Sequence, residues 1–432
     1  MLKFRVVFIM LLMFSFSLFP LTFEEAKKIA MDRNRNLEVS KLEVEKAEIA
    51  MRKSWASFYP SVTFQSSYTR LLSVPQFEMP VGDGQVEYIS LGYADNFRNS
   101  LEVTFPIFTF GKRSAAKEIG EKIRDVQVFQ HETDKINLIK DLITVYYGVV
   151  VAKEGLMLAE DALERSEDHL NTARIQYRQG RITKLDLLSA ETEFNRSKTE
   201  LLNVNNGLEQ AGSALNMMLG FPLDTTVDVE GNIKIEVDTF NLDSLNDLAL
   251  ARRPEVKSME KLNESAGIAQ KLQYFSFLPD IVFIGSFSYD KPIGFLNEWD
   301  NDMSATIALS LPIFQGFSRT NAIKKNSLTI EQAVIREKIV REGIKMEVEN
   351  LLLTYRLNKQ KLNLAEEQLK RAKEAYEMAQ KQYRAGYISA LEYKDIELGY
   401  KSAEFSHLNA QYNLIVSQKQ IKISSMMDKE EL

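Results

Sequence analysis

Gln176-Tyr177-Arg178-Gln179-Gly180-Arg181-Ile182-Thr183-Lys184-Leu185-Asp186 returns further along the chain as Gln382-Tyr383-Arg384-Ala385-Gly386-Tyr387-Ile388-Ser389-Ala390-Leu391-Glu392. The offset is 383 − 177 = 206, and Phe105-Pro106-Ile107-Phe108 recurs at the same offset (312 − 106) as Leu311-Pro312-Ile313-Phe314. Self-similarity at a fixed period sets the architecture before any single motif does. Each copy of the decisive stretch reads as one helix stopping and another starting. Gly180 and Gly386 can take the left-handed conformation that ends a helix. Thr183 and Ser389 can cap the next one, with Asp186 and Glu392 three residues on as in a capping box. Each repeat therefore contains a helical hairpin with a short tip.

Upstream of the tips, residues 112–178 hold no proline. One continuous helix there would be about 100 Å long, with Gly120, Gly148 and Gly155 as weak points. Leu156, Ala159, Leu163, Ser166, Leu170, Ala173 and Tyr177 follow coiled-coil intervals, as do Leu362, Ala365, Leu369, Ala372, Tyr376, Ala379 and Tyr383. Before these helices the period changes to two. Val62, Phe64, Ser66 and Tyr68 alternate with polar residues, as do Leu101, Val103 and Phe105. Ile281 to Tyr289 and Met303 to Leu311 repeat the pair in the second half.

The expected organisation follows. Residues 1–20 resemble a secretory signal peptide: Lys3 and Arg5 precede an apolar run from Val6 to Phe19. An uncleaved N-terminal anchor is the other reading. Residues 22–219 form the first repeat: a helix broken near Arg33-Asn34-Arg35-Asn36, strands 61–70 and 99–106 around a loop, the long helix, tip 179–183 and a return helix. A connector at 220–241 opens on Gly220-Phe221-Pro222, with a short strand expected between Val227 and Val237. Residues 242–424 form the second repeat, with strands 280–290 and 302–311 and tip 385–389, and 425–432 are a tail. After the leader, no stretch reads as a transmembrane helix.

The fold class expected is mainly α with a small β part. Net charge is −6 and cysteine is absent, which gives no support for nucleic-acid binding and excludes disulfides and thiolate metal sites. No glycine-rich phosphate loop follows a strand, and no nucleophile elbow or metal-ligand cluster is present, so no cofactor, metal or catalytic residue is assigned. His131, His169 and His407, the only histidines, are expected to face solvent.

Four short strands between very long helices suit either the core of a soluble sheet or a membrane. In a membrane the sheet must close, and bacterial barrels begin at about eight strands. One chain would then need partners.

The order of these features, the proline-flanked strands, Ala251-Arg252-Arg253-Pro254-Glu255-Val256 and the Tyr-x-x-Gly tips resemble the TolC-like outer-membrane efflux protein family. The resemblance covers nearly all of the chain after the leader. It implies a homotrimer: twelve strands in one outer-membrane barrel, and twelve helices in a tunnel extending into the periplasm. It implies a passive exit duct for tripartite efflux or type I secretion, docked to a periplasmic adaptor (a membrane fusion protein) and an inner-membrane pump. Adaptor contacts would fall at the tips, on Gly180, Arg181, Ile182, Gly386, Tyr387 and Ile388. Asp186 and Tyr383 match a pair that links helices in the closed state of the best-known member. Ile388 stands where that member has an arginine, so its second link cannot be made in the same way here. Glu392 and Asp395 match two acidic rings at its periplasmic constriction. Plain helix capping also accounts for Asp186 and Glu392, and a solvated face for Asp395. The alternative from another class is a soluble periplasmic coiled-coil scaffold or adaptor.

Overall fold

The computed structural model describes residues 20–80, 82, 85–231, 238–294 and 296–427. The leader, most of the expected connector strand and the last residues of the tail lie outside them. The chain forms two compact units.

One unit comprises residues up to Leu42, Phe129–Val256 and Lys338 onward. Its helices are α1 (Phe23–Arg33), the start of α2 (Arg35–Trp55), most of α3 (Lys112–Arg178), α4 (Lys184–Leu219), α5 (Leu242–Arg252), most of α7 (Ser318–Ala385) and α8 (Ala390–Ser424). The long helix α3 is continuous over 67 residues despite its three glycines.

Near its middle, α3 carries a window that is apolar enough, by length and composition, to cross a membrane. By that measure it departs from the expectation that no stretch after the leader reads as a transmembrane helix. Ile139, Leu142, Ile143, Val149 and Val150 of α3 instead pack against Ala26 and Ala30 of α1, Leu215 and Leu219 of α4, and Ile415 of α8. Burial on several sides removes the polar stripe that a surface helix would show. The Tyr146 hydroxyl donates to the Leu21 carbonyl (2.7 Å), and Leu21 bridges in parallel to Val229.

The α1–α2 break falls at Asn34. Its Oδ1 accepts from the N–H groups of Asn36 and Leu37 (2.9 and 3.3 Å), capping α2, and its Nδ2 donates to the Met218 carbonyl (3.0 Å) in the last turn of α4. Gly220 ends α4 at φ 72°; a Cβ there would lie 2.6 Å from the Arg33 carbonyl oxygen.

A second core joins Leu245 and Ala249 of α5 to Ile344, Val348 and Leu352 of α7. Beside it Arg253, 2% exposed, donates to the Ser424 carbonyl and pairs with Glu347 at 2.6 Å, and Lys140 reaches Glu347 at the same distance. Burial alone would push the Glu347 carboxyl up, but Arg253 and Lys140 outweigh it and hold the group at about 2. The Ala-Arg-Arg-Pro-Glu-Val run is thus a buried ion-pair site.

The other unit comprises Glu43–Val128 and Lys257–Glu337. It holds a four-stranded antiparallel sheet in the order β1 (Ser61–Arg70), β4 (Asp95–Phe108), β5 (Asp280–Lys291), β6 (Asp300–Ser310). The segment between β1 and β4, expected as a loop, folds into a further hairpin, β2 (Gln76–Pro80) with β3 (Val86–Ser90). Helix α6 (Pro254–Phe275) leads into β5, and Lys112 at the start of α3 pairs with Asp280 at 2.9 Å.

Candidate functional site

The sheet register sorts the strand residues into two faces. Val62 opposes Val103, Phe64 opposes Leu101 and Tyr68 opposes Phe97. Leu101 opposes Phe287 and Phe105 opposes Phe283, which in turn oppose Met303 and Ile307. Because side chains alternate across a strand, all of these share one face. The other face carries Thr63, Gln65, Ser67, Ser100, Glu102, Ser286, Ser288, Ser304 and Thr306.

The apolar face is open: Phe64 is 67% exposed, Met303 78% and Ile307 71%. It is therefore not the core of a soluble sheet. At one end of this face Tyr68, Phe97, Trp299 and Tyr289 form a chain of ring contacts at 4.9, 5.5 and 5.0 Å. Beyond the other end lie the Phe108–Phe110 and Phe314–Phe317 pairs, at 4.5 and 5.5 Å. An apolar band between two aromatic girdles, backed by a polar face, is the pattern of a strand set between lipid and water. The outer strands β1 and β6 each have one unpaired edge.

The two tips are built alike. At each, the glycine takes a positive φ, 69° at Gly180 and 81° at Gly386. The glycine N–H reaches the tyrosine carbonyl three residues back, and the next N–H closes a wider ring: Arg181 to Gln176 and Tyr387 to Gln382, both 2.9 Å. This is a Schellman stop. The following helices start with complete capping boxes, Thr183 with Asp186 and Ser389 with Glu392. Both carboxylates accept from the backbone N–H and the hydroxyl of their cap residue at 2.8–3.0 Å. The Ser389 backbone N–H, and then its hydroxyl, hold the Glu392 carboxyl below its ordinary range.

Asp186 is therefore engaged with Thr183. The Tyr383 hydroxyl is buried without a hydrogen-bond partner. Burial first, and the negative charge of Asp186 second, raise the Tyr383 phenol above its ordinary value. The two residues are neighbours without a hydrogen bond. Glu392 and Asp395 are exposed on α8. Arg181 and Tyr387 are exposed at the tips, whereas Ile182 and Ile388 pack partly buried onto their own hairpins. Tyr177 leaves the apolar seam: it is 39% exposed, with the Lys184 ammonium 5.6 Å from its ring centre.

The histidines depart from expectation, and two of them, His131 and His169, lie on helix faces that meet another helix. All three are half-buried. His131 Nδ1 lies 3.1 Å from the Ser40 hydroxyl. His169 packs against the rings of Tyr383 and Tyr393, at 5.2 and 5.0 Å. Among the described residues no group of three or more His, Asp or Glu side chains could hold a metal ion.

The residues that join the two hairpins are not among those expected from the sequence. Arg165 of α3 pairs with Glu404 of α8 at 2.9 Å, and Lys394 of α8 lies 3.7 Å from Glu193 of α4. Glu193 and Glu397 are both buried there. No sequence signal set them apart, since each stands on a long helix rich in charged residues.

Comparison with known proteins fits this geometry. The CmeC outer membrane channel of Campylobacter jejuni superposes with a TM-score of 0.78 at 16% identity, over 95% of this chain and 89% of that one. The open-state MtrE outer membrane channel of Neisseria gonorrhoeae gives 0.75 at 18%, over 93% and 88%. The outer membrane protein VceC of Vibrio cholerae gives 0.76 at 14%, over 93% and 95%. No curated protein matches the sequence. The family described as outer membrane efflux protein matches residues 28–221 and 245–423. Matched over most of its length and sharing the fold of these channels, the chain belongs to the outer membrane efflux protein family, a channel of the outer membrane and not an enzyme.

Proposed function

We propose that the protein is the passive exit duct of a tripartite efflux or type I secretion system. Three copies would close one barrel of 3 × 4 = 12 strands, using the four-stranded sheet of each chain. The observation that carries this reading is the two-faced sheet with open edges. A lipid-facing sheet must satisfy its edge N–H and C=O groups, and pairing β6 of one copy with β1 of the next does so. The polar face would then line the lumen.

The helical hairpins would extend into the periplasm, with the tips presented to a periplasmic adaptor and, through it, to an inner-membrane pump. Gly180, Arg181, Gly386 and Tyr387 are the surface that such a partner would meet, with Ile182 and Ile388 supporting it from below. Glu392 and Asp395, exposed one helical turn apart, would form two acidic rings, six carboxylates in a trimer. Rings of carboxylates favour cations over anions. Asp186 and Tyr383 would form a helix-linking gate pair when the Tyr383 hydroxyl finds its partner. The soluble-scaffold alternative is set aside by the family match and by the exposed apolar face.

The test is single-channel conductance of the detergent-purified protein in a planar bilayer. Stable, cation-selective conductance from a heat-labile oligomer is expected. Glu392→Gln with Asp395→Asn should weaken the cation preference. No conductance from a folded oligomer would overturn the duct, and unchanged selectivity in the double variant would overturn the acidic constriction.

A further inference from the structure

Four helices meet behind the tips. Glu397 of α8 and Glu193 of α4 are buried there, 9% and 7% exposed. With His169, Asp186 and Lys394 they line a cavity of about 10 Å³, the lower limit for one water. The two glutamates differ in their partners. Glu193 pairs with Arg196 at 2.9 Å and faces Lys394 at 3.7 Å. Glu397 makes no ion pair or hydrogen bond among the described residues. The charges of Arg165, Lys401 and Arg196 offset part of its burial without forming an ion pair with it, and Arg165 is already held by Glu404.

We propose that Glu193 and Glu397 form a proton-operated latch between the two helical hairpins of one chain, closed when Glu397 is protonated and loosened when it ionises.

The remaining groups facing Glu397 do not remove this effect. From α3 come Arg165 and His169. From α4 come Asp186, Glu193 and Arg196, and from α7 comes the Tyr376 hydroxyl. Its own helix adds Tyr393, Lys394, Lys401 and Glu404. Burial pushes the His169 imidazole below its ordinary value, so it stays neutral above mildly acidic pH. Tyr376 and Tyr393 are raised, first by burial, and stay neutral.

Burial, and then the Glu193 charge, push Glu397 up to about 7 from an ordinary value of 4.5. In an opened seam water would return it toward 4.5. Below that value both forms are protonated and the seam is closed without penalty. The penalty grows as pH rises from 4.5 and is complete above 7. The shift of 7 − 4.5 = 2.5 sets an upper limit of about 300-fold on the change in the closed-to-open ratio. Closing the seam therefore takes up a proton. Any bearing on channel opening rests on the duct reading above; the latch itself does not.

The chain has no cysteine, so Lys198→Cys on α4 and Lys373→Cys on α7, both at exposed positions, accept spin labels cleanly. Electron–electron distances are measured on the full chain in detergent at about pH 5.5 and about pH 8.5, on either side of the shifted carboxyl. The distance distribution is expected to be narrow at the lower pH and broader or longer at the higher one. In Glu397→Gln the narrow distribution should persist at both. Identical distributions in the parent, or a parent-like response in Glu397→Gln, would overturn the latch. Should Glu397→Gln fail to fold, Glu193→Gln removes the repelling charge from the facing helix and should lower the midpoint; an unmoved midpoint there also overturns the proposal. Distances read the seam whether or not the protein conducts, so failure of the latch and failure of the duct are distinguishable.

Discussion

Replacing Asn34 by alanine should be among the most costly single changes outside the membrane sheet. Asn34 is 7% exposed and serves two helices at once. Losing its acceptor leaves the N–H groups of Asn36 and Leu37 uncapped, worth about 1 kcal/mol. Losing its donor leaves the Met218 carbonyl, 3.0 Å away, buried without that partner, worth about 1–3 kcal/mol. The two effects act through different atoms of one amide, so their sum, about 2–4 kcal/mol, is the expected loss. Asn34→Ser separates them: it keeps a cap but falls short of Met218, so it should lose only the second share. Amide hydrogen exchange of the full chain in detergent, followed at the first turn of α2 and the last turn of α4, reads both. Protection should fall at both places in Asn34→Ala, and mainly at α4 in Asn34→Ser. A loss under about 0.5 kcal/mol, the usual size for surface substitutions, would refute the reasoning.

Other expectations concern backbone and charge. Gly220→Ala should cost more stability than Gly386→Ala in chemical denaturation. Both residues have positive φ, which costs about 1–2 kcal/mol in any L-residue, but only at Gly220 would a Cβ meet backbone. Glu347 has its carboxyl held at about 2, against 4.5 ordinarily, so it contributes stability above pH 4.5 that is lost as pH falls toward 2. Glu347→Gln should accordingly flatten the acid limb of an unfolding profile followed by circular dichroism. Ser389→Ala removes the hydroxyl bond to Glu392 and should raise the pH at which cation selectivity fades; conductance measured on an acid titration reads the midpoint.

Much of the fold was legible because the repeat places like elements at like positions. The alternation at Val62, Phe64 and Tyr68 marked a strand, and Gly180 and Gly386 marked the tips. What periodicity could not supply was the partner of each face. The same aromatics read equally as soluble core or lipid contact until the register put Phe64, Leu101, Phe287 and Met303 on one open face. The capping roles of Asp186 and Glu392 were legible from three-residue spacing alone. The setting of His169 between two tyrosines was not, since it depends on which helix of one hairpin meets which helix of the other. The buried pair Glu193 and Glu397 was obscured for the same reason: on a helix rich in charge, a carboxylate turned inward looks in sequence like one turned out.

The open edges of the sheet also bear on how the protein is made. β1 runs for 10 residues and β6 for 11, and roughly half the residues of an edge strand turn both N–H and C=O outward. In hydrocarbon each unsatisfied group costs several kcal/mol, so two bare edges together exceed the net stability of about 5–15 kcal/mol of a whole domain. If three copies close the barrel as proposed above, a solitary chain would have no stable membrane-embedded form. Insertion and association would then become one event, whose yield depends on how many copies arrive together. A chain with a damaged β6 would then do harm beyond its own loss: by occupying a place beside intact copies while offering them no edge, it would spoil each ring it joined.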